Sequence, residues 1–244
     1  MNLNELRLLL ADKIQGTDFA GRAYFTGGCV RDHLLGRETS KLDVDIAVEL
    51  PKGGVRLARY LRNVLPMTGL KIQNAFGTAT ALYGDVQLDF VMTRSEKYIP
   101  GSRFPKVKFA DLTTDCLRRD FTINALYMDV TRGEVLDPSK MGVEDLERKI
   151  IRCLQDPFRS FREDPLRMLR ALRFSIALGF ELEPVVLQAI KVNADLTRSL
   201  SRTRLLNEIQ RLEMVAGPED MKTWANLLKE TGINPHLNSK IERK

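Results

Sequence analysis

The run LDVDIAV, from Leu42 to Val48, alternates apolar and other residues with a period of two. That spacing predicts a β-strand with Leu42, Val44, Ile46 and Val48 on one face and Asp43, Asp45 and Ala47 on the other. A chain built around it must form a sheet that is covered on one side and presents two carboxylates on the other. The neighbouring patterns supply the rest of such a layer. Arg22 to Thr26 is short and β-prone, Gly27 and Gly28 break it, and Val30 to Leu35 returns to helical spacing. Asn4 to Ile14 places Leu6, Leu9, Leu10 and Ile14 on one side of an amphipathic helix, and Val55 to Leu65 reads as a second. Thr78 to Tyr83 and Val86 to Thr93 read as two strands joined at Gly84-Asp85.

From about Asp156 the β-patterns disappear. The stretches Asp164 to Leu178, Pro184 to Asn193, Arg202 to Val215 and Pro218 to Glu230 all carry helical periodicity. This shift predicts a domain boundary near residue 150. There is no internal repeat. Ser95 to Lys108 combines Lys97, Arg103, Lys106 and Lys108 with Pro100, Gly101 and Pro105, which reads either as a mobile basic loop or as a solvated connection without a task.

With 43% hydrophobic residues in 244, the chain can bury a core, so disorder is not the default reading. A net charge of +6 leans towards a polyanionic partner without requiring one. Cys29, Cys116 and Cys153 are far apart and form no CxxC pair, so they read as reduced thiols rather than a zinc site or a disulfide framework. No apolar run approaches the ~18 residues of a membrane helix, and no basic-then-apolar leader is present. The expectation is a soluble cytoplasmic protein that uses no membrane. His33 and His236 stand in no HD pair, so no metal-dependent phosphohydrolase domain is expected.

Asp43 and Asp45 on one strand face suit a hard divalent cation, which takes carboxylate oxygens and leaves positions open for phosphate. Alone, the pair fits a solvated strand just as well. The Gly27-Gly28 turn upstream can offer backbone N–H groups to phosphate oxygens. Asp89 lies between Leu88 and Phe90, where an unpartnered carboxylate is costly, so a metal or another partner is expected for it. Three acids meeting on one sheet face would make a two-metal centre.

Several motifs together resemble one family. GGCVRDHLLGRETSKLDVDIAV, Gly27 to Val48, is similar to the signature of the bacterial-type (class II) tRNA nucleotidyltransferases and poly(A) polymerases, a branch of the polymerase β superfamily. LRRDFTINALYMD (Leu117 to Asp129), LDPSKMGVEDLERKIIRCLQDP (Leu136 to Pro157), REDPLRMLRALRF (Arg162 to Phe174) and SRTRLLNEIQRL (Ser201 to Leu212) resemble its further motifs, in the same order. The resemblance implies an α+β fold: a polymerase β-like head with a small mixed sheet over residues 1–150, then an all-helical neck over 151–216. A short helical remnant of a body domain would occupy 217–244.

It also implies roles. Asp43, Asp45 and Asp89 would bind Mg²⁺ and carry catalysis; Gly27, Gly28 and Arg31 would meet the incoming triphosphate; Arg118, Arg119, Asp120 and Asn124 would hold phosphates and ribose. Asp32 would touch nucleotide or merely cap a helix. Without the resemblance, Arg118 and Arg119 read as a solvent-exposed salt-bridge cluster with Asp115 and Asp120. Asp164, Arg167, Arg170 and Arg173 recur every third residue of a helix and would imitate a base-pairing edge towards CTP and ATP. Otherwise those arginines face water while Leu166, Leu169, Leu172 and Phe174 pack inward. The implied activity is CCA addition to the 3′ end of tRNA. AFGTATALY (Ala75 to Tyr83) and the full-length basic segment favour it over poly(A), CC-only or A-only addition. A catalytically inactive RNA-binding module is the non-enzymatic alternative.

Overall fold

The computed structural model describes residues 1–37, 42–97 and 106–233. They fall into two compact units, one of Met1–Arg119 and Ile123–Leu146, the other of Asp120–Thr122 and the chain from Glu147 onward. The chain therefore passes between units three times, twice within the RRDFTIN segment.

The first unit opens with α1 (Leu3–Ile14), whose capping box pairs Asn2 with Glu5 and which buries Leu6, Leu10 and Ile14. Next come β1 (Ala23–Thr26), α2 (Gly28–Leu34), β2 (Asp43–Val48) and α3 (Gly53–Val64). They are followed by β3 (Thr68–Gln73), β4 (Thr78–Tyr83), β5 (Val86–Met92), β6 (Arg94–Lys97) and β7 (Lys106–Phe109). The unit ends with α4 (Leu112–Leu117), β8 (Tyr127–Asp129), β9 (Val135–Leu136) and α5 (Gly142–Glu147), whose last residue belongs to the second unit. Seven strands form one sheet in the order β3-β4-β5-β2-β1-β8-β9. Only the central pair, β2 and β5, is parallel, because α3 and the β3–β4 hairpin lie between them in sequence.

Helix α3 covers one face. A Cβ on Gly54 would come within 2.9 Å of the Phe90 backbone, so only glycine lets the helix start this close to the sheet. Under it lie Leu88 and Phe90 of β5 and Val44 and Ile46 of β2, all fully buried. The other face of β5 presents Gln87, Asp89 and Val91 half-buried, and that of β2 presents Asp43 and Asp45 exposed. The alternation expected for Leu42 to Val48 is realised. Edge strand β3 carries too weak an alternation to be read from sequence. The Ser95 to Lys108 segment is not wholly loop: its flanks pair as the β6–β7 ribbon, while residues 98–105 lie outside the described residues.

The second unit contains β10 (Ile150–Ile151), α6 (Pro157–Glu163), α7 (Leu166–Leu178), β11 (Glu181–Leu182), α8 (Pro184–Asn193), α9 (Arg202–Glu213) and α10 (Pro218–Glu230). It is not purely helical, since β10 and β11 pair in parallel and Phe121 bridges Cys153. Phe121 and Phe174 meet edge to face at 5.9 Å in its core. The expected helix from Asp164 is broken. Asp164 takes extended geometry (φ −143°) as the C-cap of α6, because the residue before Pro165 is driven out of the helical region.

Candidate active site

The strand register draws the site. Thr26 of β1 stands opposite Asp45 of β2, Asp45 opposite Asp89 of β5, and Asp89 opposite Thr80 of β4. Cross-strand partners share a face at ~4.8 Å per strand, so these four residues form one line across the sheet. Asp43 sits two residues earlier on the same face, opposite Gln87. Gly27 follows β1 at φ +76°, and a Cβ there would lie 3.0 Å from Asp45 Oδ2. The turn thus needs glycine both for its backbone and for the space the carboxylate occupies. Cys29, in the first turn of α2, donates its thiol to the Thr26 carbonyl; burial and then the Asp45 charge push its pKa up to about 12.

Asp89 has the partners its apolar neighbourhood demanded: Thr80 Oγ1 donates to Oδ1, and Gln87 Nε2 donates to Oδ2 at 2.9 Å. Among the described residues no group of three or more His, Cys, Asp and Glu side chains stands ready to hold a metal ion. The backbone register brings the three acids to one face. The donor set is all-oxygen and carboxylate-rich, which suits a hard divalent cation and not a soft one.

Beside this line stand the arginines. Arg31 is buried; Nε and Nη2 donate to Asp32, and Nη1 donates to Asn124 Oδ1 at 2.8 Å. Asp32 does not cap α2, whose N-cap is Gly27, but pairs with Arg31. Arg118 and Arg119 both bind Asp115, at 2.9 and 3.1 Å, and Asp115 is fully buried. The same carboxylate accepts from Tyr127 OH at 2.8 Å and from the Arg94 N–H at 3.0 Å. Glu96 also binds Arg118 and Arg94. Burial alone would raise the Asp115 pKa; Arg119, Arg118, Arg94 and Tyr127 outweigh it and hold it below its ordinary value. Burial likewise works against the Arg119 charge, but Tyr127, Asp115 and Asp45 more than offset it and raise its pKa. The solvent-exposed cluster imagined from sequence is thus corrected: Asp115 lies at its buried centre, and Asp120 is not part of it.

Asp120 belongs to the second unit, where Arg170 donates to it through Nε and Nη2. Burial opposes its charge, yet Arg170 holds its pKa below the ordinary value. Arg173 donates to the buried Glu208 at 2.7 Å, and Arg170 lies 3.8 Å from the same residue. Both guanidinium groups also stack near Phe174. Asp164 accepts from Arg204 at 2.9 and 3.0 Å, and Arg167 donates to Ser160 Oγ at 2.8 Å. Arg170 and Arg173 are therefore held in ion pairs rather than simply facing water, and Asp164 precedes their helix as the C-cap of α6. Sequence reasoning missed Thr80, Gln87, Glu96, Tyr127, Arg204 and Glu208. Register and burial reveal them, and neither is written in local spacing. His33 is exposed on α2, and His236 lies outside the described residues.

Residues 23–152 match the model of the poly A polymerase head domain. The A-adding tRNA nucleotidyltransferase of Aquifex aeolicus is 41% identical over 197 residues, covering 78% of this chain and 23% of that protein. The CCA-adding enzyme of Lactobacillus helveticus is 39% identical over 216 residues, covering 86% and 50%. The solved Bacillus stearothermophilus CCA-adding enzyme in complex with CTP superposes with a TM-score of 0.75 at 33% identity, covering 97% of this chain and 54% of that one. The chain thus spans about half the length, or less, of the relatives it matches. With the matched head domain occupying more than half of its residues, the chain belongs to the poly A polymerase head-domain family.

Proposed function

We propose that this chain is a template-independent nucleotidyltransferase that adds CMP and AMP to the 3′ end of tRNA, completing CCA, in the cytoplasm. The observation that carries the reading is the alignment of Asp45 with Asp89 across β2 and β5, with Asp43 on the same face and Gly27 against Asp45. Those three carboxylates would hold Mg²⁺, which when bound makes a 3′-hydroxyl a better nucleophile and neutralises a triphosphate. Arg31, fixed by Asp32 and Asn124, and the Arg118–Arg119 pair, fixed by Asp115, bring positive charge to the same unit. They would hold the incoming triphosphate, with Gly27 and Gly28 letting it approach the backbone. Unit one would be the catalytic head. In unit two, Asp164 and Arg167 would read the base edge, and Asp120, Arg170 and Arg173 would brace that recognition through their ion pairs.

The test is extension of tRNA lacking its CCA end, with Mg²⁺ and with CTP and ATP separately and together. Addition of C, C and A in that order is expected; no extension by the wild-type chain rejects the enzyme. The Aquifex relative favours one second reading, A-only addition. Extension of a CC-ended tRNA by one residue, with none on a tRNA lacking CC, would establish it.

A further inference from the structure

We propose that Thr80 and Gln87 are positioning residues for Asp89, holding its carboxylate so that it can share a divalent cation with Asp45. Each Asp89 oxygen accepts one hydrogen bond, from Thr80 Oγ1 across the strand pair and from Gln87 Nε2 along its own strand. A carboxylate oxygen has two acceptor sites, so one on each remains for a cation. Without these donors the carboxylate would turn freely about χ2, and its like-charged neighbour would push it away.

The arrangement is not a requirement of the fold. Thr80 is half-buried on the face away from α3, where valine would serve the strand equally well, so only the hydroxyl distinguishes it. Gln87 is opposite Asp43, so its amide lies between the line of Asp43 and that of Asp45 and Asp89. Outer partners of this kind orient metal-binding carboxylates, and losing one commonly weakens metal binding tenfold to a hundredfold.

This inference rests on the reading of the three acids as a metal centre, and the experiment separates the two. Mn²⁺ binding to the full chain is titrated by electron paramagnetic resonance for the wild type, Asp89→Asn, Thr80→Val, Thr80→Ser and Gln87→Leu. The Mg²⁺ concentration giving half-maximal extension is measured alongside, and circular dichroism checks that each variant is folded. Thr80→Val and Gln87→Leu should each bind Mn²⁺ about tenfold or more weakly and need correspondingly more Mg²⁺. Thr80→Ser, which keeps the hydroxyl, should stay close to wild type, and saturating Mg²⁺ should restore most of the lost extension. Wild-type affinity or tighter binding in Thr80→Val overturns the positioning role, as does a Thr80→Ser variant as weak as Thr80→Val. Failure of the wild type itself to bind Mn²⁺, or Asp89→Asn binding as the wild type does, removes the metal centre instead.

Discussion

Gly27 and Asp45 are in such close approach that a Cβ on the glycine would stand 3.0 Å from the carboxylate Oδ2. The glycine also has φ +76° and ψ −141°, a region nearly closed to other residues. Gly27→Ala should lower stability by about 1–3 kcal/mol through the backbone. It should also displace Asp45, so extension activity should fall much further than the loss of folded protein explains. Urea unfolding and extension rates on the same preparation check this; activity that merely tracks the folded fraction would contradict it.

Asp43 and Asp45 are exposed on the open face of β2. Removing either charge relieves repulsion along one strand face but gives up attraction such as that of Asp45 for Arg119, so the fold should stay intact with little net change in stability. Extension, by contrast, should drop on the order of a thousandfold or more with Asp43→Asn or Asp45→Asn, the equivalent of several kcal/mol of lost charge stabilisation. Thermal unfolding beside single-turnover extension separates the two effects.

Asp115 and Asp120 are buried carboxylates whose pKa values are held below the ordinary 3.8. In the unfolded chain they bind protons at higher pH than in the folded one. Their contribution to stability is thus complete well above 3.8 and is lost as the pH falls from there towards the lowered folded values. Unfolding free energy should decline on acidification in that window. In Asp115→Asn the decline should be shallower, from a lower start, because breaking one partner of a buried ion pair costs about 3–5 kcal/mol. Denaturant titrations from neutral pH down to strong acid measure both the slope and the offset.

The β2 strand was legible because its alternation serves one covered and one open face, and so was the pairing of its acids on that open face. Helices α1 and α10 were legible from periodicity. What stayed hidden depends on distance along the chain. Asp115 gathers Arg118, Arg119, Tyr127 and the Arg94 N–H because α4 is folded against the β6 ribbon, whereas the meeting of Asp45 with Asp89 was expected and strand register brings it about. The helical reading of Asp164 to Arg173 failed at Pro165, whose effect on the preceding residue is local and readable but was outweighed by the three-residue spacing. The family resemblance, not spacing, implied a nucleotide-binding role for Arg173. Its partner Glu208 is thirty-five residues away, and no local pattern announces it.

The three thiols should be inert in the native protein. Burial raises Cys29 from 9.0 to about 12 with the Asp45 charge adding to it, raises Cys153 to about 12, and raises Cys116 to about 11. A rise from 9.0 to about 12 leaves roughly a thousandfold less thiolate. Iodoacetamide at mildly alkaline pH should label none of them until denaturant is added. Rapid native labelling of Cys29, with extension lost in step, would show the turn beside Asp45 to be more open than its geometry indicates.

Arg204 donates to both oxygens of Asp164 and is itself about 41% exposed along its side chain. An ion pair so open to solvent stabilises by about 1 kcal/mol at most. Arg204→Ala should therefore leave the melting temperature nearly unchanged. If Asp164 reads the base edge, its rotamer decides selectivity, because an aspartate freed from its guanidinium can turn away from an exocyclic amino group. KM for both CTP and ATP should rise and the discrimination against GTP and UTP should weaken, while the rate at saturating nucleotide changes less. Arg204→Lys, which keeps a charged N–H donor on a differently shaped side chain, should fall between the wild type and Arg204→Ala. Unaltered selectivity in Arg204→Ala would mean that the Leu166 N–H, which donates to Asp164 Oδ1 at 3.2 Å, is enough to hold the carboxylate, or that Asp164 does not meet the base.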